Sequence, residues 1–173
     1  MLAYHDLEWG TPVHDDIELF ERLALESFQA GLSWSTILRK RDSFRAAFRG
    51  FDPTVVAAFG STDRERLMAD AGIVRNGSKI DAIVGNAAAF VAVQRQFGSF
   101  DAYLTARLPR PVRRLASGAT SADIPAATAQ SEMLSTDLRA RGFRFVGPTI
   151  VYAFMQSVGL VDDHLPGCFR YRG

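Results

Sequence analysis

Apolar side chains recur at helical spacing, rather than at strand spacing, along most of this sequence. In residues 15–30 they repeat every three or four positions between Asp15, a capping candidate, and Gly31. The stretches 34–48 and 78–97 show the same period, and no stretch shows the clear alternation of apolar and polar residues that a half-exposed strand requires. The sequence therefore predicts an all-α fold.

Length and cysteine content limit the class of protein further. A chain of 173 residues has the usual size of one domain, so residues 1–173 are predicted to form a single helical domain. The only cysteine, Cys168, excludes an internal disulfide and agrees with a reducing compartment. No apolar run is long enough to cross a bilayer, and residues 1–10 lack the features of a signal peptide. We therefore expect a soluble intracellular protein with no membrane partner.

Five basic residues fall within about three helical turns, although the net charge of the chain is only +1. They are Arg39, Lys40, Arg41, Arg45 and Arg49. Such a run usually forms a solvated helix face, and it can also contact the phosphates of a nucleic acid. The sequence alone leaves both interpretations open.

Two shorter helices and a loop are predicted between the long helices. Asp52, followed by a proline, begins a short helix, and Thr62 with Glu65 forms a capping box for a helix over residues 61–70. Residues 108–130 are rich in proline, serine, threonine and alanine without a period, which predicts an ordered loop with at most one helical turn.

The last third of the chain predicts two helices joined by a tight turn. Residues 134–141 have a helical pattern, and residues 148–158 begin with a proline at the first helical position. Between them, residues 142–147 have a glycine at each end. The segment 134–158 is therefore predicted to be a helix, a hairpin and a helix.

Glu26 is the one carboxylate on an otherwise apolar row of the first long helix. Spacing alone favours the interpretation that it lies at the edge of the surface and pairs with Arg22 one turn earlier. Alternatively, it is a partly buried carboxylate that requires a polar partner, and Trp34 is close enough along the chain to form a wall of the same pocket.

His5, His164 and Cys168 offer ligand types that zinc accepts in a tetrahedral set. A buried free cysteine and two hydrogen-bonded histidines are the more common explanation of such residues taken singly. A structural zinc site also needs a fourth ligand, for which His14 is the remaining histidine.

Five blocks of the sequence closely resemble one family. They are YHDLEWG (4–10), LESFQAGLSW (25–34), FDPTVVAAF (51–59), DAGIVRNGSKIDAIVGNA (70–87) and RGFRFVGPTIVYAFMQSVGLVDDHLPGC (141–168). In this order they resemble 3-methyladenine DNA glycosylase I, the constitutive bacterial type among the helix-hairpin-helix glycosylases. The resemblance implies the helix-hairpin-helix DNA glycosylase fold and an enzyme of base-excision repair. It also implies a bacterial cytoplasmic monomer that acts at the nucleoid.

The activity implied by the resemblance is hydrolysis of the N-glycosidic bond of 3-methyladenine. The enzyme would flip the nucleotide out of alkylated double-stranded DNA and leave an abasic site. In this family the residue at the position of Glu26 binds the excised base, and those at Tyr4 and Trp34 shape the pocket. The resemblance assigns a structural zinc to His5, His164 and Cys168 that pins the N-terminus to the C-terminus.

The chain departs from the family pattern ahead of Tyr4. Family members carry further residues there, including a Cys-x-Trp that supplies the fourth zinc ligand and an aromatic pocket wall. We therefore expect the fourth zinc ligand to be missing from this chain. The alternative function is that of a non-catalytic helix-hairpin-helix protein that binds DNA or lesions.

Three further expectations come from the hairpin region. Related glycosylases carry a catalytic Asp at the position of Asp162, although an N-cap or a brace for the loop is the more common role. The backbone N–H groups between Gly142 and Gly147 are expected to contact DNA phosphates. No lysine follows Lys79, so this region cannot supply the amine of a strand-cleaving glycosylase, and a monofunctional enzyme is expected.

Overall fold

A computed structural model describes residues 2–108 and 113–172, and within them nine α-helices make up most of the structure. The α-helices are α1 (Leu2–Leu7), α2 (Asp16–Gln29), α3 (Trp34–Ala47), α4 (Pro53–Ala57), α5 (Ser61–Ala69), α6 (Gly77–Phe97), α7 (Phe100–Arg107), α8 (Ala129–Ala140) and α9 (Pro148–Ser157). Two 3-10 helices cover Arg49–Phe51 and Ser121–Asp123. The predicted all-α class is confirmed, apart from one parallel pairing between β1 (Arg113–Arg114) and β2 (Val161–Asp162).

Helix α2 forms the centre of the core. Every residue from Leu19 to Phe28 is buried, and α2 packs against α3, α6, α7 and α9. Phenylalanine rings from neighbouring elements meet it, with ring centroids 4.6 Å apart for Phe28 and Phe44 and 5.2 Å apart for Phe20 and Phe90. Ring packing of this kind adds about 0.5–1.5 kcal/mol per pair to the burial of apolar area. Any side chain on the inner face of α2 is therefore held rigidly.

The predicted cap of α2 is confirmed, whereas that of α5 is wrong. The Asp15 side chain accepts from the N–H of Glu18, and the Ser33 side chain caps α3 in the same way. The predicted capping box of Thr62 is wrong, because α5 begins at Ser61 with Gly60 as its N-cap. Asp63 reaches back to accept from the Gly60 N–H at 3.3 Å, which satisfies the helix end without a capping side chain.

The helix predicted at residues 134–141 begins earlier than expected, and helices α1 and α7 were not predicted. Helix α8 begins at Ala129, because the Thr128 side chain caps it and places five further residues in the helix. Helices α1 and α7 are short, and α7 is fixed mainly by tertiary contact: the Phe100 ring stacks on Phe90 with centroids 4.1 Å apart. In the predicted loop, residues 109–112 lie outside the described residues, and the one helical turn is Ser121–Asp123.

The turn between α8 and α9, residues 142–147, is held from the protein interior by buried polar side chains. Asn86 donates to the carbonyl of Arg144 at 2.9 Å and accepts from its N–H at 2.7 Å. The carbonyls of the next two residues accept from Ser27 at 3.1 Å and from Ser135 at 2.6 Å. Three successive carbonyls are thus fixed, so the turn has one defined backbone conformation.

The basic run of α3 is largely engaged with the protein itself. Arg41 and Arg45 both donate to the buried carboxylate of Glu21, and Arg41 also donates to Glu8 at 2.6 Å. Lys40 donates to two backbone carbonyls near the end of α5. Although burial alone would raise it, hydrogen bonds from Arg45 and Arg41 hold the pKa of Glu21 below its ordinary value. These contacts favour a structural role for the run over phosphate binding.

Candidate functional site

A cavity of about 190 Å³ opens between α1, α2, the start of α3 and α9. Its volume is below the range of about 300–1,000 Å³ that is usual for drug-sized ligands, which suits a ligand the size of one base. Its wall combines aromatic rings with amide and carboxylate groups. The lining residues are Tyr4, Trp9, Glu26, Gln29, Trp34, Ala153 and Gln156. The three residues that were predicted to bind a base therefore meet in one pocket.

Two aromatic residues reach this pocket because of local helix geometry. Ser33 caps α3 and Trp34 is its first residue. The indole therefore lies directly after the turn that connects α2 and α3. Tyr4 is the buried residue of α1 and is 8% exposed. The two ring centroids are 5.3 Å apart at an interplanar angle of 53°. Together they form an aromatic part of the pocket wall.

Glu26 is a buried carboxyl, only 5% exposed. Burial raises its pKa from 4.5 to about 8, and the positive charge of Arg22 acts in the opposite direction. The prediction of a surface pair with Arg22 is wrong: Arg22 donates to Glu8 and Glu18, both at 2.8 Å. Sequence spacing did not reveal this competition, because Glu8 comes from outside α2. Burial therefore favours the neutral form of this carboxyl, and a bound cation would favour the carboxylate.

Unpartnered polar atoms are concentrated around the pocket and the metal-ligand cluster described below. Among the residues that the structure describes, the buried side-chain nitrogen and oxygen atoms without a hydrogen-bond partner belong to Tyr4, Arg22, Trp34 and His164. The Arg22 guanidinium lies 5.5 Å from the centroid of the Tyr4 ring, directly behind the pocket wall. Because buried polar groups are normally paired, the Trp34 nitrogen in the pocket wall and the His164 nitrogen in the cluster are suited to bind a ligand.

His5, His164 and Cys168 form a cluster in which the ligand atoms all lie within 4.8 Å of one another. The His5 Nε2 and Cys168 Sγ atoms are 3.6 Å apart. Zinc–nitrogen and zinc–sulfur bonds of about 2.05 and 2.3 Å in a tetrahedron would place these two atoms about 3.6 Å apart. The buried His164 Nε2 has no hydrogen-bond partner within the described part of the chain. The residues present therefore fit zinc.

Asp162 lies beside this cluster rather than in the pocket wall. Its carboxylate is 2.6 Å from His164 Nδ1 and accepts from the His164 backbone N–H at 3.2 Å. This contact fixes the ring and leaves Nε2 facing the other ligands, as the outer-shell carboxylates of metal sites do. The role as a brace for the loop is thus supported, and a direct catalytic role stays a prediction. His14 contacts Asp101 at 3.0 Å instead of joining the cluster.

Trp9 connects the cluster with the pocket. Its ring lines the pocket and also lies 4.7 Å from the His164 ring, at an angle of 75°. Gly10 allows this approach, since a Cβ there would lie 2.7 Å from His164 Cε1. Of the lining residues not predicted, Trp9 stands in the motif of Tyr4, and Gln29 follows Glu26 by three positions on α2. Both could have been found from the sequence.

The turn at 142–147 presents free backbone donors. Within residues 2–108 and 113–172, no hydrogen bond to a protein acceptor is found for the N–H groups of Phe145, Val146 and Gly147. Phe145 has a φ of 54°, in the left-handed region, and is 37% exposed. Helix α9 begins directly afterwards, so the partial positive charge of its N-terminus adds to these donors.

No described helix is both long and apolar enough to cross a membrane.

Comparison with known proteins gives a consistent result. The family model described as methyladenine glycosylase matches residues 1–171. The chain is 46% identical to DNA-3-methyladenine glycosylase 1 of Escherichia coli (strain K12), over 99% of this chain and 91% of that protein. It is 43% identical to a DNA-3-methyladenine glycosylase of Haemophilus influenzae, over 96% of this chain and 90% of that protein.

A solved structure is similar over the same extent. It is that of 3-methyladenine DNA glycosylase I from Staphylococcus aureus, described for its recognition of 3-methyladenine, with a TM-score of 0.94 and 37% identity. The alignment covers 99% of this chain and 91% of that one.

Proposed function

The chain belongs to the methyladenine glycosylase family, and on this premise we propose that it excises 3-methyladenine from alkylated DNA in base-excision repair. It is a DNA-3-methyladenine glycosylase, a hydrolase of N-glycosyl bonds. The observation that most directly supports this function is the base-sized pocket that is lined by the buried Glu26 and the rings of Tyr4 and Trp34. A pocket of this kind complements a flat ligand that bears positive charge and hydrogen-bond donors.

The chemistry of the lesion explains these residues. A duplex hides the target, so the nucleotide must rotate out of the stack into the pocket, and a weakened base pair makes this easier. Methylation at N3 makes the base cationic and therefore a good leaving group without a general acid. The aromatic faces attract the cation, and its arrival lowers the pKa of Glu26 and favours the carboxylate. Water then attacks the sugar and leaves an abasic site.

The monofunctional outcome is supported by the two lysines of the chain. Strand-cleaving glycosylases use an amine that attacks the sugar. Lys79 donates to the carbonyls of Phe28 at 2.9 Å and of Ala30 at 2.6 Å, where it caps the end of α2. Lys40 is likewise bound to backbone carbonyls. Neither side chain is available as a nucleophile in this conformation.

The proposed DNA contact is the helix-hairpin-helix segment formed by α8, the turn from Gly142 to Gly147, and α9. Its free N–H groups suit phosphate oxygens, which would position the duplex without reading its sequence. Alkylated double-stranded DNA is accordingly the proposed partner, and a monomer in the bacterial cytoplasm, acting at the nucleoid, is the proposed acting form.

We also propose a structural zinc held by His5, His164 and Cys168. The 3.6 Å separation of His5 Nε2 and Cys168 Sγ supports it, as does the unpartnered Nε2 of His164. When bound, zinc supplies folding energy and no chemistry at the glycosidic bond. The three residues contribute neutral imidazoles and a thiolate, and Asp162 orients one of them.

The function is tested with Glu26→Gln and with Trp34→Ala. Glu26→Gln should bind an alkylated duplex as wild type does, yet release much less 3-methyladenine, as measured by chromatography of the freed bases. Trp34→Ala should weaken the binding of free 3-methyladenine by roughly 1–3 kcal/mol, the usual worth of base stacking. Glu65→Gln on the exposed face of α5 is the matched control. A wild-type protein that binds the duplex but excises nothing would favour the non-catalytic alternative.

A further inference from the structure

Gln156 lines the pocket with only one end of its amide engaged. Its Nε2 donates to Oδ2 of Asp163 at 2.8 Å. The same oxygen accepts from the Tyr152 hydroxyl at 2.5 Å. The backbone of Gln156 is fixed as well, because its carbonyl accepts from the N–H of Gly10 at 3.0 Å. The backbone and the side chain of this pocket residue are therefore each fixed by a hydrogen bond.

The Asp163 contact determines which end of the amide remains available. Asp163 is 2% exposed, and its Oδ2 is the acceptor for both the Gln156 amide and the Tyr152 hydroxyl. The amino end of Gln156 must therefore face it, since the opposite orientation would place two oxygens together. Gln156 is half-buried, and within the described residues no hydrogen bond to its Oε1 is found. The free end of this pocket residue is an oxygen.

We propose that Asp163 fixes Gln156 so that its Oε1 is a second acceptor in the pocket beside Glu26, and that Gln156 thereby selects bases with an amino group rather than a carbonyl at C6. This inference rests on the proposed glycosylase function and assigns its substrate class. Asp163 is a positioning residue, and Gln156 is a specificity-determining residue. The competing class is a methylated base with a carbonyl at the same ring position, such as 3-methylguanine.

The preference for an amino group over a carbonyl follows from the hydrogen bond that each can make with the Gln156 amide oxygen. An amino group donates to a fixed amide oxygen, whereas a carbonyl placed there leaves two acceptors facing each other without a proton. A site built to hydrogen-bond a substrate rejects an analogue that leaves its buried groups unpaired. For one neutral hydrogen bond we expect an effect of about tenfold to a hundredfold on the ratio of the two bases.

The test is Gln156→Met, which keeps length and removes the acceptor. Two ratios are measured: 3-methyladenine to 3-methylguanine released from a methylated duplex, and the affinities for the two free bases by tryptophan fluorescence. We expect both ratios to fall by about tenfold to a hundredfold, with unchanged duplex affinity. Gln94→Met is the matched control, because Gln94 donates to Asp16 at 2.7 Å in the same kind of pair on α6, outside the pocket.

Variants of Asp163 test whether it positions the amide. Asp163→Asn can donate as well as accept, so it no longer determines which end of the Gln156 amide faces the pocket, and Asp163→Leu removes the contact; both should lower the ratios. Unchanged free-base ratios in Gln156→Met would overturn the inference, whatever the Asp163 variants do. If wild-type protein excises neither base, the proposed function fails, while the free-base ratios still decide the role of Gln156.

Discussion

The burial of Glu26 predicts an unusual dependence of stability on pH. In the unfolded chain this carboxyl has an ordinary pKa of 4.5, and in the folded protein burial raises the pKa to about 8. Between these values the unfolded state has already released the proton that the folded state keeps. The free energy of unfolding therefore falls as pH rises through this interval and levels off above it. Glu26→Gln removes the titrating group and should remove this loss.

The magnitude follows from the same interval. Each pH unit between the two pKa values changes the free energy of unfolding by about 1.4 kcal/mol, so the upper limit is about 5 kcal/mol. Effective dielectric constants inside proteins exceed those of a dry interior, and we take about 2–3 kcal/mol as the measurable part. For a protein of this size, that corresponds to a rise of about 5–10 °C in the melting temperature of the variant at pH 9.

Thermal unfolding of wild type, Glu26→Gln and the control Glu65→Gln should be followed from pH 5 to pH 9. We expect the Glu26 variant to match wild type near pH 5 and to become the more stable protein as pH rises, with no such divergence in the control. Parallel curves for wild type and Glu26→Gln would refute the reasoning, since they would show that Glu26 titrates alike in the folded and unfolded states.

Three other results are expected. Borohydride added to the enzyme with a product duplex should trap no protein–DNA adduct, and a trapped adduct would disprove a monofunctional enzyme. His164→Ala should lose zinc by elemental analysis and melt at a lower temperature, whereas His14→Ala keeps both, and equal zinc in the two variants would exclude the proposed site. Asn86→Leu should weaken duplex binding without changing the affinity for free 3-methyladenine, because Asn86 holds the turn proposed to bind phosphates. An equal loss of both affinities would indicate that Asn86 only stabilises the fold.

The sequence predicted the elements whose signals are local. Helix α2 was predictable because Asp15, its apolar period and Gly31 all lie within one stretch. Helix α7 was not, because its eight residues are too few to establish a period and its place depends on a ring in α6. The start of α5 was missed for a related reason: the capping group at Gly60 is a backbone N–H that Asp63 satisfies from within the helix.

The same distinction between local sequence signals and tertiary contacts applies to the candidate site. The blocks of sequence that resemble the family identified Tyr4, Glu26 and Trp34, which the structure brings into one pocket. The sequence could not decide between a buried and a paired Glu26, because the answer depends on Glu8, in the turn after α1, competing for Arg22. The orientation of an amide such as that of Gln156 is likewise set by a tertiary contact and has no signature in spacing.

The ligands His5 and Cys168 are separated by 163 positions in the chain. A metal that joins them would close nearly the whole polypeptide into a ring and so remove conformations from the unfolded ensemble. By the chain-entropy relation used for disulfides, a closure of this length is worth about 5 kcal/mol. Because Tyr4 immediately precedes His5, local fraying of α1 would have to break this ring before the tyrosine could leave the pocket. The shape of the base pocket would then depend on a cross-link that itself never touches the base.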